Sequence, residues 1–258
     1  MNDDQPNRGP RVPDAFAGVL DGIDDDLGQQ PRPIAVGARH PHREAFDREL
    51  QEVKENVLRM GTLVEDAIRA AIASLVRHDA DAATAVIVAD AGINEVQRKV
   101  SSMITATIAT QAPVARDLRF LLTLDHVSYE LERMGDHAAS VAKQARKLAP
   151  EPPLKGYVDL PAMGELVIQL VHGVLRALVD VDQVKAREVA TLDDEVDALY
   201  HRIFDEVLEL MREDKANVDR GARVLFAAYY LERIGDRSTN IAEDVVFLAT
   251  GDIEDLNP

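Results

Sequence analysis

Four carboxylates sit in two nearly identical settings, and they are the residues best placed to do chemistry. Glu132 and Asp136 belong to Leu131-Glu132-Arg133-Met134-Gly135-Asp136, and Glu232 and Asp236 to Leu231-Glu232-Arg233-Ile234-Gly235-Asp236. A second pair, Asp193 and Asp197, has Asp90 and Asn94 at the matching positions of the first copy. Like charges four apart on a helix repel by ~0.2–0.5 kcal/mol, yet the arrangement occurs twice. Clustered oxygen donors of negative charge suit hard or borderline cations such as Mg, Mn, Ca or Fe. Spacing alone leaves two readings open. The acids converge as two cation sites, one per copy, or they are solvated helix surface that binds nothing.

The elements that must carry these residues follow from a duplication. Met60-Gly61-Thr62-Leu63-Val64 matches Met163-Gly164-Glu165-Leu166-Val167, a shift of 163 − 60 = 103, whereas Glu132 and Glu232 are 100 apart. Three residues are therefore lost between the second and third segments of copy two. They belong in a turn, because a three-residue loss inside a helix would rotate its apolar face. Leu50, Val53, Val57, Met60, Val64, Ile68, Ala71 and Leu75 recur every three or four positions, which predicts an amphipathic helix from Phe46 to Arg77. Further helices are predicted over 81–110, with Asp79 as N-cap, and on to Leu148, with Pro113 in a first turn. Copy two repeats the plan over 160–180, 182–213 and 216–249. No stretch reads as a strand. The predicted fold is all-α, two pseudo-symmetric antiparallel three-helix bundles, each closing its own core. The expected divisions are a disordered extension over 1–43, bundle one over 44–149, a Pro-rich linker over 150–159, bundle two over 160–250 and a tail over 251–258.

In the third helix of each copy, positions 127, 131, 134, 138, 141, 145 and 148, and 227, 231, 234, 238, 241, 245 and 248, form the apolar seam. At ~100° per residue, Glu132, Asp136, Glu232 and Asp236 lie almost opposite it and are predicted to face outward. Asp90, Asn94, Asp193 and Asp197 flank the core of the second helices, from which they can turn toward those acids. Gly135 and Gly235 read as close-packing points, and Arg133 and Arg233 as partners in local ion pairs.

Composition removes several classes. A formal net charge of −17 opposes nucleic-acid binding, since phosphate would be repelled. Absence of cysteine removes disulfides and thiolate ligands. Met1-Asn2-Asp3-Asp4 has the wrong charge for a signal peptide, and no apolar run reads as a membrane span. The expectation is a cytoplasmic protein without membrane insertion.

Both Leu-Glu-Arg-(Met/Ile)-Gly-Asp elements, Phe46-Asp47-Arg48-Glu49-Leu50 followed by Met60-Gly61, and Gln111-Ala112-Pro113-Val114-Ala115-Arg116-Asp117-Leu118-Arg119 resemble the PhoU family of phosphate-transport accessory and regulatory proteins. The resemblance covers about 46–248. It implies paired PhoU-type bundles, often dimeric, and metal ions, iron or zinc, on repeated Glu/Asp-xxx-Asp motifs; the oxygen donors themselves add manganese or magnesium as candidates. Carried onto this chain, those ligands are Glu132 and Asp136, Glu232 and Asp236, and Asp193 and Asp197. Asn94 departs from the pattern and lowers the charge of the first site. The implied role is non-enzymatic: negative regulation of the phosphate-starvation response, between a Pst-type phosphate ABC transporter and a PhoR-like sensor kinase. Two rivals stand beside it. A carboxylate-bridged di-metal enzyme would want Glu-x-x-His pairs, and none of the seven histidines has a Glu three residues before it. A metal-free scaffold is the other.

Overall fold

The computed structural model describes residues 41–154 and 159–256. The expectation of a disordered extension lies outside these residues as far as position 40, and residues 41–43 already belong to the first helix. The described chain is helical: α1 Pro41–Arg77, α2 Ala80–Gln111, α3 Ala115–Leu148, α4 Asp159–Asp180, α5 Gln183–Ala190, α6 Asp193–Glu213, a 3₁₀ turn Lys215–Asn217, and α7 Val218–Thr250. No strand occurs among the described residues.

Local chemistry sets the boundaries. Asp79 caps α2 by accepting from the Ala82 N–H, and Asp182 caps α5 by accepting from the Val184 and Lys185 N–H groups, satisfying donors a helix start leaves open. These caps are 103 apart, and each follows a residue of positive φ, His78 at 53° and Val181 at 52°. The same turn is thus built twice without glycine. The lost three residues fall where expected. Ala112, Pro113 and Val114 separate α2 from α3, whereas only Asp214 separates α6 from the 3₁₀ turn. Pro113 lies in that connection rather than in the first turn of α3, which opens after the extended Val114.

The second helix of copy two differs from its prediction. It breaks at Thr191-Leu192 into α5 and α6, although its counterpart α2 is continuous. α4 also corrects the sequence reading of apolar runs. By length and composition it meets the requirements of a membrane-crossing helix, and here just over half of that window is buried against its neighbours.

Separate cores were expected, but the two bundles share one. Apolar residues from α1 through α7 form a single buried cluster, because α1 packs on α4 and α3 on α7. A local pseudo-two-fold organises the first contact. A Cβ at Gly61 would collide with Leu175 Cδ1, and one at Gly164 with Ile72 Cδ1. Both partners are displaced by 103, so each glycine admits the side chain at the equivalent position of the other copy, Leu175 or Ile72. The predicted seams of α3 and α7 are buried at every position, from Val127 to Leu148 and from Ala227 to Leu248. Each fully buried Leu or Met there contributes ~2 kcal/mol of transfer free energy.

Candidate metal centres

The eight predicted site residues gather into two clusters, each at the contact between the second and third helices of a copy. α2 and α3 hold Asp90, Asn94, Glu132 and Asp136; α6 and α7 hold Asp193, Asp197, Glu232 and Asp236. Gly135 and Gly235 make the contact possible. A Cβ on Gly135 would stand 2.8 Å from Ile93 Cδ1 and 3.3 Å from Asp90 Oδ1, and one on Gly235 would collide with Asp193 Oδ1. The glycines therefore pack helices, as read from sequence, and also let a carboxylate approach the third helix.

The acids are not on open surface, which corrects the outward-facing expectation. Side-chain exposure is 16% for Glu132, 40% for Asp136, 12% for Glu232 and 29% for Asp236, and Asp193 as a residue is only 4% exposed. The angular argument from the seam holds, but α3 packs against α1, α2 and α7 together. A second buried stripe of small residues, Ser128, Gly135, Ala139 and Ala142, leaves the acids in a cleft.

Each cleft has the same internal cation. Arg133 lies 2.8 Å from Glu132 Oε2 and 3.1 Å from Asp136 Oδ2. Arg233 donates to Glu232 and stands 2.7 Å from Asp236 Oδ2. Both guanidiniums stack on a tyrosine one turn earlier, Arg133 over Tyr129 at 5.1 Å and Arg233 over Tyr229 at 5.2 Å. The local ion pairs read from sequence are present. The tyrosine platforms were not recognised as such, although Tyr129 and Tyr229 recur at the same shift of 100.

Burial and crowding disfavour charge on these acids. Burial, then Asp136, raises the Asp90 pKa, and burial, then Asp136, raises that of Glu132 against the opposing pull of Arg133. Burial pushes Asp193 up to about 6, with Asp236, Asp197 and Glu232 adding to it and the Thr239 hydroxyl opposing. Asp236 also reaches about 6, from burial first and then Glu232 and Asp197 against Arg233. Burial and Glu232 raise Asp197. Desolvation and neighbouring carboxylates are the conditions that an added cation relieves.

Donor chemistry fits a cation better than geometry alone does. In copy one, Asn94 donates to Asp90 Oδ2 at 3.3 Å, while Asp90 Oδ1 and Asn94 Oδ1 are buried without a hydrogen-bond donor. Thr239 donates to Asp193 Oδ2 at 3.1 Å in copy two, a supporting contact that sequence reasoning missed. Among the described residues no three acidic or histidine side chains stand at ligating separation. The arginines hold the glutamates to their own third helix, so a cation would draw the carboxylates together only as it displaced them.

Helices α1 to α7 with this doubled acidic cleft define a tandem three-helix architecture, and the comparisons give it a family. The PhoU domain matches residues 57–145 and 160–245, one match per copy. A phosphate-specific transport system accessory protein PhoU homolog from Clostridium acetobutylicum is 38% identical over 216 residues, spanning 83% of this chain and 99% of that protein. Another from Aquifex aeolicus is 36% identical over 80% of this chain and 93% of its own length. The crystal structure of PhoU from Pseudomonas aeruginosa superposes with a TM-score of 0.77 at 34% identity, covering 80% of this chain and all of that one. The phosphate transport system regulatory protein PhoU from Streptococcus pneumoniae gives 0.76 at 30% identity over 81% of this chain and 99% of its own. This chain belongs to the PhoU family.

Proposed function

We propose that the chain is an accessory regulator of phosphate transport that restrains the phosphate-starvation response when phosphate is plentiful. One observation carries this reading: both copies match relatives named for the phosphate-specific transport system at 32–38% identity, over most of the chain. The mechanism we favour is docking. A cytoplasmic protein, dimeric as the family resemblance implies, couples a Pst-type phosphate ABC transporter to a PhoR-like sensor kinase without catalysing a reaction itself. The acidic clefts would serve it as cation sites, with Glu132, Asp136, Asp90 and Asn94 holding one ion and Glu232, Asp236, Asp193 and Asp197 the other. Bound iron, zinc, manganese or magnesium would supply positive charge that ties the second helix of each copy to the third. Two features support that use: the buried Asp90 Oδ1 and Asn94 Oδ1 lack donors, and the raised acids of both clefts would gain from a counter-ion.

Deleting the gene and measuring starvation-gene expression and phosphate uptake in high phosphate tests the proposal. Expression should become constitutive and return to baseline on complementation. Genes that stay silent, with uptake unchanged, would refute it.

A further inference from the structure

The contact between α3 and α7 has two ends related by the shift of 100, and the chain closes only one of them with its own side chains. At that end His126 bonds Asp244 at 2.6 Å, and Arg119 lies over Phe247 at 5.3 Å. The equivalents at the other end are Phe226 and Gln144, and Asp219 and Lys147. Together with Arg223 and Tyr230 they line a cavity of about 250 Å³. Among the described residues no hydrogen bond or ion pair engages the side chains of Gln144, Lys147, Asp219 or Arg223. Phe226 is exposed, while Tyr230, one turn further along α7, is held by stacking on His137. The surroundings are cationic in an otherwise acidic chain. Lys143, Arg146 and Lys147 close α3 with no acid among them, and Arg220 and Arg223 stand in α7 beside a single one, Asp219.

We propose that this cavity binds a purine nucleoside monophosphate, with its base on Phe226 and Tyr230, its phosphate on Lys147 and Arg223, and its ribose hydroxyls on Asp219. Bases stack on aromatic side chains, and charge-assisted bonds from lysine and arginine hold phosphate. Asp219 narrows the choice. Its charge opposes a bare anion, whereas a ribose offers it hydroxyl donors, as acidic residues of dinucleotide sites use them. The cavity is near the low end for small-molecule sites, so it takes one nucleotide rather than two. The formal charge of −17 acts weakly here, because salt screens charges more than about 8 Å away. A nucleic-acid strand would have to continue over the acidic surface, which leaves the free mononucleotide as occupant. The inference goes beyond phosphate regulation and does not require it, so binding to the purified chain stands or falls separately from gene deletion.

Full-length protein in EDTA, so that no metal ion bridges protein and phosphate, is titrated in a calorimeter with AMP and with GMP. At least one should bind saturably, and its nucleoside and pyrophosphate should each bind about ten-fold more weakly or worse. Phe226→His with Arg223→Thr, which installs the residue types of His126 and Thr123 from the closed end, should weaken the nucleotide by about ten-fold or more. Lys147→Gln should weaken the nucleotide and leave the affinity of the nucleoside unchanged, a split that a general disturbance of the fold would not give. If the double variant fails to fold by circular dichroism, Phe226→Ala, at an exposed position, carries the same expectation. Binding of neither nucleotide would overturn the proposal. So would pyrophosphate binding as tightly as the nucleotide, a single-stranded oligonucleotide binding more tightly, or undiminished affinity in the folded variants.

Discussion

Glu130 on α3 and Arg237 on α7 form an ion pair at 3.1 Å across the contact between the two copies. Their counterparts at a shift of 100, Tyr230 and His137, are stacked rings 5.9 Å apart. The same pair of positions thus holds charge on one side of the pseudo-two-fold and an aromatic contact on the other. The Glu130 side chain is 3% exposed, and Asn240 and His126 also approach it.

Arg237→Ala should therefore destabilise the fold, because it strips the main counter-ion from a buried carboxylate. A loss of about 2 kcal/mol in urea unfolding is expected, below the full cost of a broken buried pair because Arg237 is itself one-third exposed. Glu130→Tyr with Arg237→His, which writes the copy-two pair into this position, should lose less than Arg237→Ala alone.

Two pH windows should be separable. Asp193 and Asp236 rise from 3.8 to about 6 on folding, so between those values the folded chain binds more protons than the unfolded one. Cation-free protein should then lose stability as pH rises from about 4 to about 6, and Asp193→Asn should flatten the slope. His126 is raised by its bond to Asp244, with Glu130 and Asp125 adding to it against burial. Its contribution is present below its unfolded value of 6.5 and fades as pH climbs through the higher folded one. His126→Gln should remove only that second decline, and urea midpoints across pH check both.

Arg233→Met should tighten cation binding to copy two while lowering the stability of cation-free protein. The guanidinium competes for Glu232 and Asp236, and a partly exposed pair of this kind is worth about 1 kcal/mol, about a five-fold gain in affinity. Calorimetric titration with Mn²⁺ measures it.

Gly235→Ala places a methyl against Asp193 Oδ1. Cation affinity at copy two should fall about ten-fold, the scale expected when a supporting contact is disturbed, while better helix propensity of up to ~1 kcal/mol offsets much of the strain in stability. Affinity falling without matching loss of thermal midpoint is the expected signature.

The helical plan was legible because the apolar seam of α3 and α7 is regular and buried throughout. The break between α5 and α6 was hidden for a physical reason. Thr191 and Leu192 keep near-helical angles, φ −65° and −70°, so Val189, Leu192 and Val196 stay in register across it. The burial of the Glu132 and Glu232 side chains was hidden because small residues form the second stripe. Ser128, Gly135 and Ala139 carry little hydrophobic signal, yet they are what lets neighbouring helices close over the acids. The shared core depended on glycine–side-chain contacts between copies, Gly61 with Leu175 and Gly164 with Ile72, which no single-helix pattern reveals.

Because both copies build the same acidic cleft, counting bound ions is the direct test. Chelator-treated full-length protein titrated with Mn²⁺ in a calorimeter should take up one ion per copy. Glu232→Gln with Asp236→Asn should lose one of them, and adding Glu132→Gln with Asp136→Asn should lose both. Wild-type protein that binds no ion, or a quadruple variant that binds as many as wild type, would contradict the assignment of these carboxylates as ligands.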